Sequence, residues 1–244
     1  MIPKVIHYIW FGEKKPQYVI DSINTWRDNL PEYSFCEWNE KNTQKYISND
    51  FALAALKKKK YAFLSDYIRL RVLHEFGGIY LDTDMIINKN FNNFLEYETF
   101  WGRMYSNAIG TSVIGSVPKS DLVAKLIAKY DSSVVSMEES NNRLVTRLFI
   151  DEFDNFDIQN KKQVLGGNNL LLPTYYFYLP SLFNKSECYS YHLFINSWNR
   201  RQQETLRIKI ISYMPYWITS YVRNKNGIKR FMNSVDYKKN GDNL

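Results

Sequence analysis

The segment "YAFLSDYIRLRVLHEFGGIYLDTDMII", Tyr61 to Ile87, constrains this chain more than any other. Leu64, Ile68 and Val72 recur at four-residue steps, which predicts a helix, and Gly77 and Gly78 are its C-terminal stop. "IYL" then reads as a short buried strand that delivers Asp82 where its apolar run ends. Open α/β sheets place their ligands at the carboxyl ends of such strands.

In an extended segment, residues i and i+2 point the same way, so Asp82 and Asp84 can face one site. Two carboxylates that close repel each other unless a cation or a proton intervenes. Oxygen ligands with open positions suit Mg²⁺ or Mn²⁺, which usually keep waters and bind substrate phosphates. A metal held on a diphosphate neutralises the charge that grows as the diphosphate leaves. The chemistry implied is transfer from a nucleotide-activated donor. A solvated loop can carry the same spacing, and the strand-end position is what favours a site. On the preceding helix Asp66 and Arg69 share a face, with Ser65 beside them. They read either as a surface ion pair of little energetic worth or as side chains looking onto the same pocket.

The rest of the chain continues the α/β pattern. "KVIHYIWFG" is β-branched, aromatic and closed by glycine, a buried first strand. A helix follows through Val19, Ile20, Ile23 and Trp26, stopping before Pro31, and "YSFCEWNE" alternates as a second strand. Strand, helix, strand opens a parallel sheet. "TFWGRM" and "NAIGTSVIGSV" read as further strands, and residues 119–130 and 140–150 as helices. "DEFDNFDIQNKKQ" is a polar connector, and "LLLPTYYFYLP" reads as an extended, proline-bounded aromatic segment. Lys57–Lys60 is a solvated helix end, and His7 and His74 read as structural.

Charge is divided unevenly. Residues 1–199 carry 22 Lys/Arg and 22 Asp/Glu, so the formal +7 belongs to residues 200–244, where ten basic residues face Glu204, Asp236 and Asp242. The expected organisation is a catalytic domain over 1–199 and a basic amphipathic tail over 200–244. Within the tail, Leu206, Ile210, Met214, Trp217, Ile218 and Tyr221 are expected on one side, with Pro215 kinking or splitting any helix. Such a segment suits an anionic membrane surface, and it equally suits a helix packed on the domain with a solvated outer face. Nucleic acid is set aside as a partner, because it would leave the aspartate pair unexplained. Cys36 and Cys188 lack metal-type spacing, and the start of the chain reads as no signal peptide. A cytoplasmic protein is expected, peripheral on the inner face of the cytoplasmic membrane if the tail attaches.

Together, "IPKVIHYIWFG", "SINTWRDNLPEYSFCEWNE", "YAFLSDYIRLRVLHEFGGIYLDTDMII" and "YHLFINSW" resemble the glycosyltransferases with a DXD sugar-binding motif. That family includes yeast-type initiating α-1,6-mannosyltransferases and bacterial capsule and lipopolysaccharide transferases, and it is distantly similar to the large clostridial glucosylating toxins. The resemblance runs from Ile2 to about Trp198. It implies a GT-A fold, a mixed, mostly parallel sheet flanked by helices, and a retaining transfer from a nucleotide-diphosphate sugar. A UDP-sugar is favoured and GDP-mannose is the second choice.

The resemblance also implies roles. Trp10 would stack on the donor's base, with backbone groups at Ile9 and Phe11 reading its edge. Stacking of that kind is worth ~1–3 kcal/mol per base where single-stranded nucleic acid is bound. Asp66 and Arg69 would contact the sugar's hydroxyls beside Ser65, and Tyr80 would line the donor pocket. Asp82 would lie near ribose and sugar with a water-mediated tie to the metal, and Asp84 would bind the metal directly. His192 retains the first of a paired-histidine motif whose second position here is Leu193, which leaves the third metal ligand open between His192 and Asn196. Trp198 would close over the diphosphate. No acidic residue of the C-terminal half stands out as a nucleophile, which favours front-face attack. The expected acceptor is a glycan or lipid-linked oligosaccharide of bacterial surface polysaccharide. The alternatives are a toxin-like protein glycosyltransferase and a non-catalytic glycan-binding scaffold.

Overall fold

The computed structural model describes residues 1–12, 14–132, 135–137, 141–195 and 215–232. The first strand, β1 (Val5–Ile9), is followed by helix α1 (Gln17–Asn29) and strand β2 (Ser34–Trp38). Helix α2 (Asp50–Lys57), capped by the Asn49 side chain on Ala52 N–H, leads through the four exposed lysines into α3 (Tyr61–Phe76). Strands β3 (Gly78–Leu81), β4 (Met85–Ile87), β5 (Thr99–Tyr105) and β6 (Ala108–Ser116) come next. Helices α4 (Asp121–Asp131) and α5 (Asn141–Glu152) precede β7 (Gln163–Leu165) and β8 (Asn169–Leu172). A short helix α6 (Thr174–Phe177), strand β9 (Ser190–His192) and helix α7 (Tyr216–Met232) complete the described elements.

The main sheet has the order β2-β1-β3-β6-β5-β8-β7. Strands β1, β2, β3, β5 and β8 run the same way, and β6 and β7 run against them. This is the mixed, mostly parallel α/β sheet the sequence implies. Helix α3 is buried on several sides, with Leu64, Tyr67, Ile68, Leu70, Val72 and Leu73 wholly enclosed. A helix apolar around most of its girth belongs in a core. Its end is fixed by the two glycines. Gly77 has φ of 64° and a Cβ there would meet Pro118 at 2.7 Å, while Gly78 has φ of 97° and would strike the Val5 carbonyl oxygen at 2.7 Å. Only glycine turns the chain from α3 into β3 at this spacing.

A second, two-stranded ribbon pairs β4 with β9, setting Met85 opposite His192. Helix α1 pins this ribbon to the body. The fully buried Trp26 donates its indole N–H to the Met85 carbonyl at 2.7 Å, and Ile87 N–H donates to Thr25 at 3.1 Å. His7 is held between Trp38 and the Gly77 carbonyl, and burial pushes its pKa down to about 4, so it is a neutral structural group.

One expectation needs correction. The run after Pro173 does not stay extended: Pro173, itself extended at φ −63° and ψ 164°, is the N-cap, and Thr174–Phe177 turn into α6 behind it. In the tail, the inner face of α7 is Thr219, Ser220, Gly227 and Phe231, while Trp217 and Tyr221 are 42% and 61% exposed. Small residues sit inside because α7 lies close against the β5–β6 turn: a Cβ on Gly227 would meet the Tyr105 ring at 2.3 Å. Leu206, Ile210 and Met214 lie outside the described residues.

Candidate active site

A cavity of about 920 Å³ opens where β1 and β3 end. Its floor is built by three segments that the fold brings together: the α3 face with Ser65, Asp66 and Arg69, the loop Asp82–Asp84, and the end of β9 at His192. The β4–β9 pairing is what carries His192 to the aspartates, across more than 100 residues of sequence.

Arg69 is the hub, and it is only 4% exposed. Its Nη2 meets Asp66 Oδ1 at 2.9 Å and Asp82 Oδ1 at 3.3 Å. Its Nη1 donates to the Thr111 carbonyl at 2.8 Å and hydroxyl at 3.1 Å, and its Nε donates to the Ser65 carbonyl at 3.2 Å. The guanidinium also lies 4.5 Å over the Tyr80 ring. Burial works against its charge, but Asp82, Tyr80 and Asp66 outweigh burial and hold Arg69 protonated. With its N–H groups spent inside the protein, Arg69 fixes the two carboxylates rather than reaching into the cavity. Tyr80, whose hydroxyl donates to Asp82 Oδ1 at 2.8 Å, braces the same carboxylate.

Asp84 differs in its surroundings. Its Oδ2 accepts from Ile195 N–H at 3.1 Å, and its Oδ1 lies 3.4 Å from His192 Nε2. Burial raises its pKa, His192 offsets part of this, and Asp82 pushes it further up. Burial likewise raises Asp66, against the pull of Arg69 and an Asn141 hydrogen bond. A carboxylate strained upward by burial and a like charge is a place for a cation. Asp82, Asp84 and His192 offer ligand atoms all within 4.8 Å of one another. The two carboxylates fit a hard divalent ion. His192 is oriented differently: its Nδ1 accepts Phe194 N–H at 2.7 Å, so the proton of the neutral ring sits on Nε2 and points at Asp84. In this tautomer His192 steadies Asp84; to ligate through Nε2 it would have to give up both that proton and the Phe194 bond.

The aromatic side of the cavity is Ile9, Trp10 and Phe11 at the end of β1, facing Tyr61 and Phe63 from the start of α3. Phe11 and Tyr61 pack at 5.4 Å. Trp10 N–H bonds the Trp38 carbonyl at 2.9 Å, whereas its indole Nε1 is buried with no hydrogen-bond partner among the described residues. Asn196 and Trp198 lie outside the described residues.

The structure adds residues that the sequence reading passed over. Thr111 and Ser112 of β6, Met104 and Tyr105 of β5, and Asn141 and Asn142 at the start of α5 line the cavity beside the aspartates, with Asp82 N–H donating to the Ser112 carbonyl at 2.9 Å. Asn141 is 6% exposed and its Oδ1 has no hydrogen-bond partner among the described residues. Their signals in the sequence are faint: Thr-Ser inside an apolar strand, and a pair of asparagines opening a helix.

Residues 16–101 match the family described as glycosyltransferase sugar-binding region containing DXD motif. The chain is 26% identical over 117 residues to inositol phosphoceramide mannosyltransferase 3 of Schizosaccharomyces pombe, covering 47% of this chain and 33% of that one. It is 27% identical over 222 residues to an uncharacterized glycosyltransferase of Acanthamoeba polyphaga mimivirus, covering 81% of this chain and 84% of that one. Among solved structures, the PaToxG glycosyltransferase superposes with a TM-score of 0.53 at 24% identity, covering 64% of this chain and 71% of that one. The chain thus spans about a third of the length of the fission-yeast relative. Residues 16–101 thus match the sugar-binding region of the DXD glycosyltransferases, and the chain shares the α/β fold of the PaToxG glycosyltransferase.

Proposed function

We propose that the protein transfers a sugar from a nucleotide-diphosphate sugar, with a divalent metal, Mn²⁺ or Mg²⁺, at Asp82 and Asp84. The observation that carries this reading is the joining of those carboxylates, braced by Arg69 and Tyr80, to an aromatic slot in one cavity. A sugar diphosphate is a flat base joined to a doubly charged group, and the cavity offers a counterpart to each. Trp10, with Phe11 and Tyr61 near it, takes the base, and its unpaired indole N–H is free to donate to the donor. Asp66, Asn141 and Asn142 take the sugar's hydroxyls.

Bound metal supplies charge neutralisation for the departing diphosphate. The chain's own groups do the rest. Arg69 and Tyr80 fix Asp82, and Ile195 N–H and His192 fix Asp84, so the site is set before the donor arrives. Among the described residues the carboxylates lining the cavity are Asp66, Asp82 and Asp84, and Asp66 is committed to Arg69. Front-face displacement therefore fits better than a carboxylate nucleophile. The bond from the sugar's anomeric carbon to the β-phosphate oxygen breaks with its electron pair on that oxygen. The acceptor oxygen bonds the same carbon, and the acceptor's proton passes to the departing phosphate.

The relatives named as mannosyltransferases favour a mannosyl donor such as GDP-mannose over the UDP-sugar suggested by the first-strand tryptophan. They also favour a lipid-borne acceptor at a membrane surface. Helix α7 supports that side of the reading: it carries Arg223, Lys225, Lys229 and Arg230, has no acidic residue, and exposes Trp217, Tyr221, Val222 and Met232. No helix among the described residues is long and apolar enough to cross a membrane. Donor titration by calorimetry tests the reading: one of UDP or GDP is expected to bind only with Mn²⁺ present, and indifference of both to metal would refute it.

A further inference from the structure

We infer that Arg223, on helix α7, is a diphosphate contact of the donor site, reaching it past Phe194. This rests on the reading of the cavity as a nucleotide-sugar site.

Among the described residues, the cavity's charges do not balance without a further cation. Of these residues, Asp66 and Asp82 pair with Arg69 and Asp84 lies against His192, and Arg69 is wholly engaged with its two carboxylates and with Ser65 and Thr111. A divalent ion cancels the remaining carboxylate charge, and a diphosphate then brings about two negative charges of its own, which grow as the sugar leaves. Arg223 stands next to this deficit. Its guanidinium lies 4.8 Å over the Phe194 ring, and Phe194 lines the cavity with its ring 4.3 Å from that of His192. Phe194 has φ of 56°, a conformation unusual for a residue with a side chain, and it is held there between His192 and Arg223. Among the described residues Arg223 meets no carboxylate at ion-pair distance, and its Nη1 is buried with no hydrogen-bond partner. A guanidinium resting on an aromatic face is held less strongly than one forked onto phosphate oxygens, so exchange toward a diphosphate is downhill.

The helix is anchored well enough to aim it. Ser106 N–H donates to Asn224 at 2.9 Å, Asn107 donates to the Ile228 carbonyl at 3.3 Å, and the Tyr216 hydroxyl donates to the His192 carbonyl. The Arg223 guanidinium also lies 5.9 Å over the ring of the same Tyr216. A basic helix distant in sequence from the aspartates thereby becomes a wall of their site.

The test is calorimetric titration of UDP, GDP, UMP and GMP with Mn²⁺ into the wild type, Arg223→Met and Arg223→Lys, each checked for folding by thermal unfolding. For the nucleotide the wild type binds, Arg223→Met is expected to weaken the diphosphate on the order of tenfold and the monophosphate little, the size of one lost charge-assisted contact. Arg223→Lys is expected to fall between, because a point charge replaces a fork. Unchanged diphosphate affinity in Arg223→Met, or equal loss for mono- and diphosphate, overturns the assignment. If Arg223→Met does not fold, unchanged diphosphate affinity in Arg223→Lys overturns it. A wild type that binds neither diphosphate overturns the reading of the cavity itself, which is a separate outcome.

Discussion

Asp84 is buried, its pKa raised first by that burial and then by Asp82, against the pull of His192. Without metal, ionising it costs stability. The folded protein keeps a proton that the unfolded chain has already released, so stability falls as pH rises from the ordinary carboxylate value of 3.8 through the raised one. Asp84→Asn is therefore expected to raise the melting temperature of the metal-free protein while abolishing turnover. Each ~1 kcal/mol gained corresponds to ~2–4 °C in a domain of this size. It should also lose the upward shift that Mn²⁺ gives the wild type, and scanning calorimetry with and without Mn²⁺ checks both. Arg69 makes the opposite case. Its removal strands two carboxylates, so Arg69→Met is expected to cost ~3–5 kcal/mol in urea unfolding. Arg69→Lys should recover little of that, because one ammonium cannot serve Asp66, Asp82, Thr111 and Ser65 together.

Among the elements, the α3–β3 junction is the joint on which the site depends. Gly77→Ala would place a methyl 2.7 Å from Pro118 at a positive φ, a cost expected to exceed ~1 kcal/mol. Because β3 carries Asp82, the same substitution should weaken donor binding while a surface mutation of equal cost leaves it intact; paired urea melts and donor titrations separate the two. This joint was legible in the sequence because its rules are local: four-residue apolar spacing, two glycines, a short β-branched strand. The β4–β9 ribbon was not, since three-residue strands carry no periodicity and Met85 meets His192 only through a non-local pairing. The wall of Thr111, Asn141 and Asn142 was hidden for a like reason, as each sits inside an element whose pattern is structural. The inner face of α7 was not legible either, because close approach to Tyr105 selects small residues over large ones.

For the whole molecule, the charge division has a structural counterpart. The basic excess of the tail is represented by α7, which packs Phe231 against Ala108 and Ile150 while turning Trp217, Tyr221, Lys225, Lys229 and Arg230 outward. If that outer face meets an anionic bilayer, each basic residue near the surface contributes ~1 kcal/mol, screened by salt. Sedimentation with phosphatidylserine-containing vesicles is expected at low salt, with loss at high salt and on removing residues 206–244. Equal binding to neutral vesicles, or no binding to either, would sink that idea. Donor site and basic helix would then present one face to a lipid-borne acceptor.

The most direct measurement follows hydrolysis of a panel of UDP- and GDP-sugars by NMR, with Mn²⁺, then with chelator, in the wild type and Asp84→Asn. The expected result is slow release of one sugar, with its anomeric configuration retained, that stops on chelation and is absent from Asp84→Asn. Turnover that ignores both chelator and substitution, or a wild type that neither turns over nor binds any donor, would contradict a metal-dependent sugar transferase.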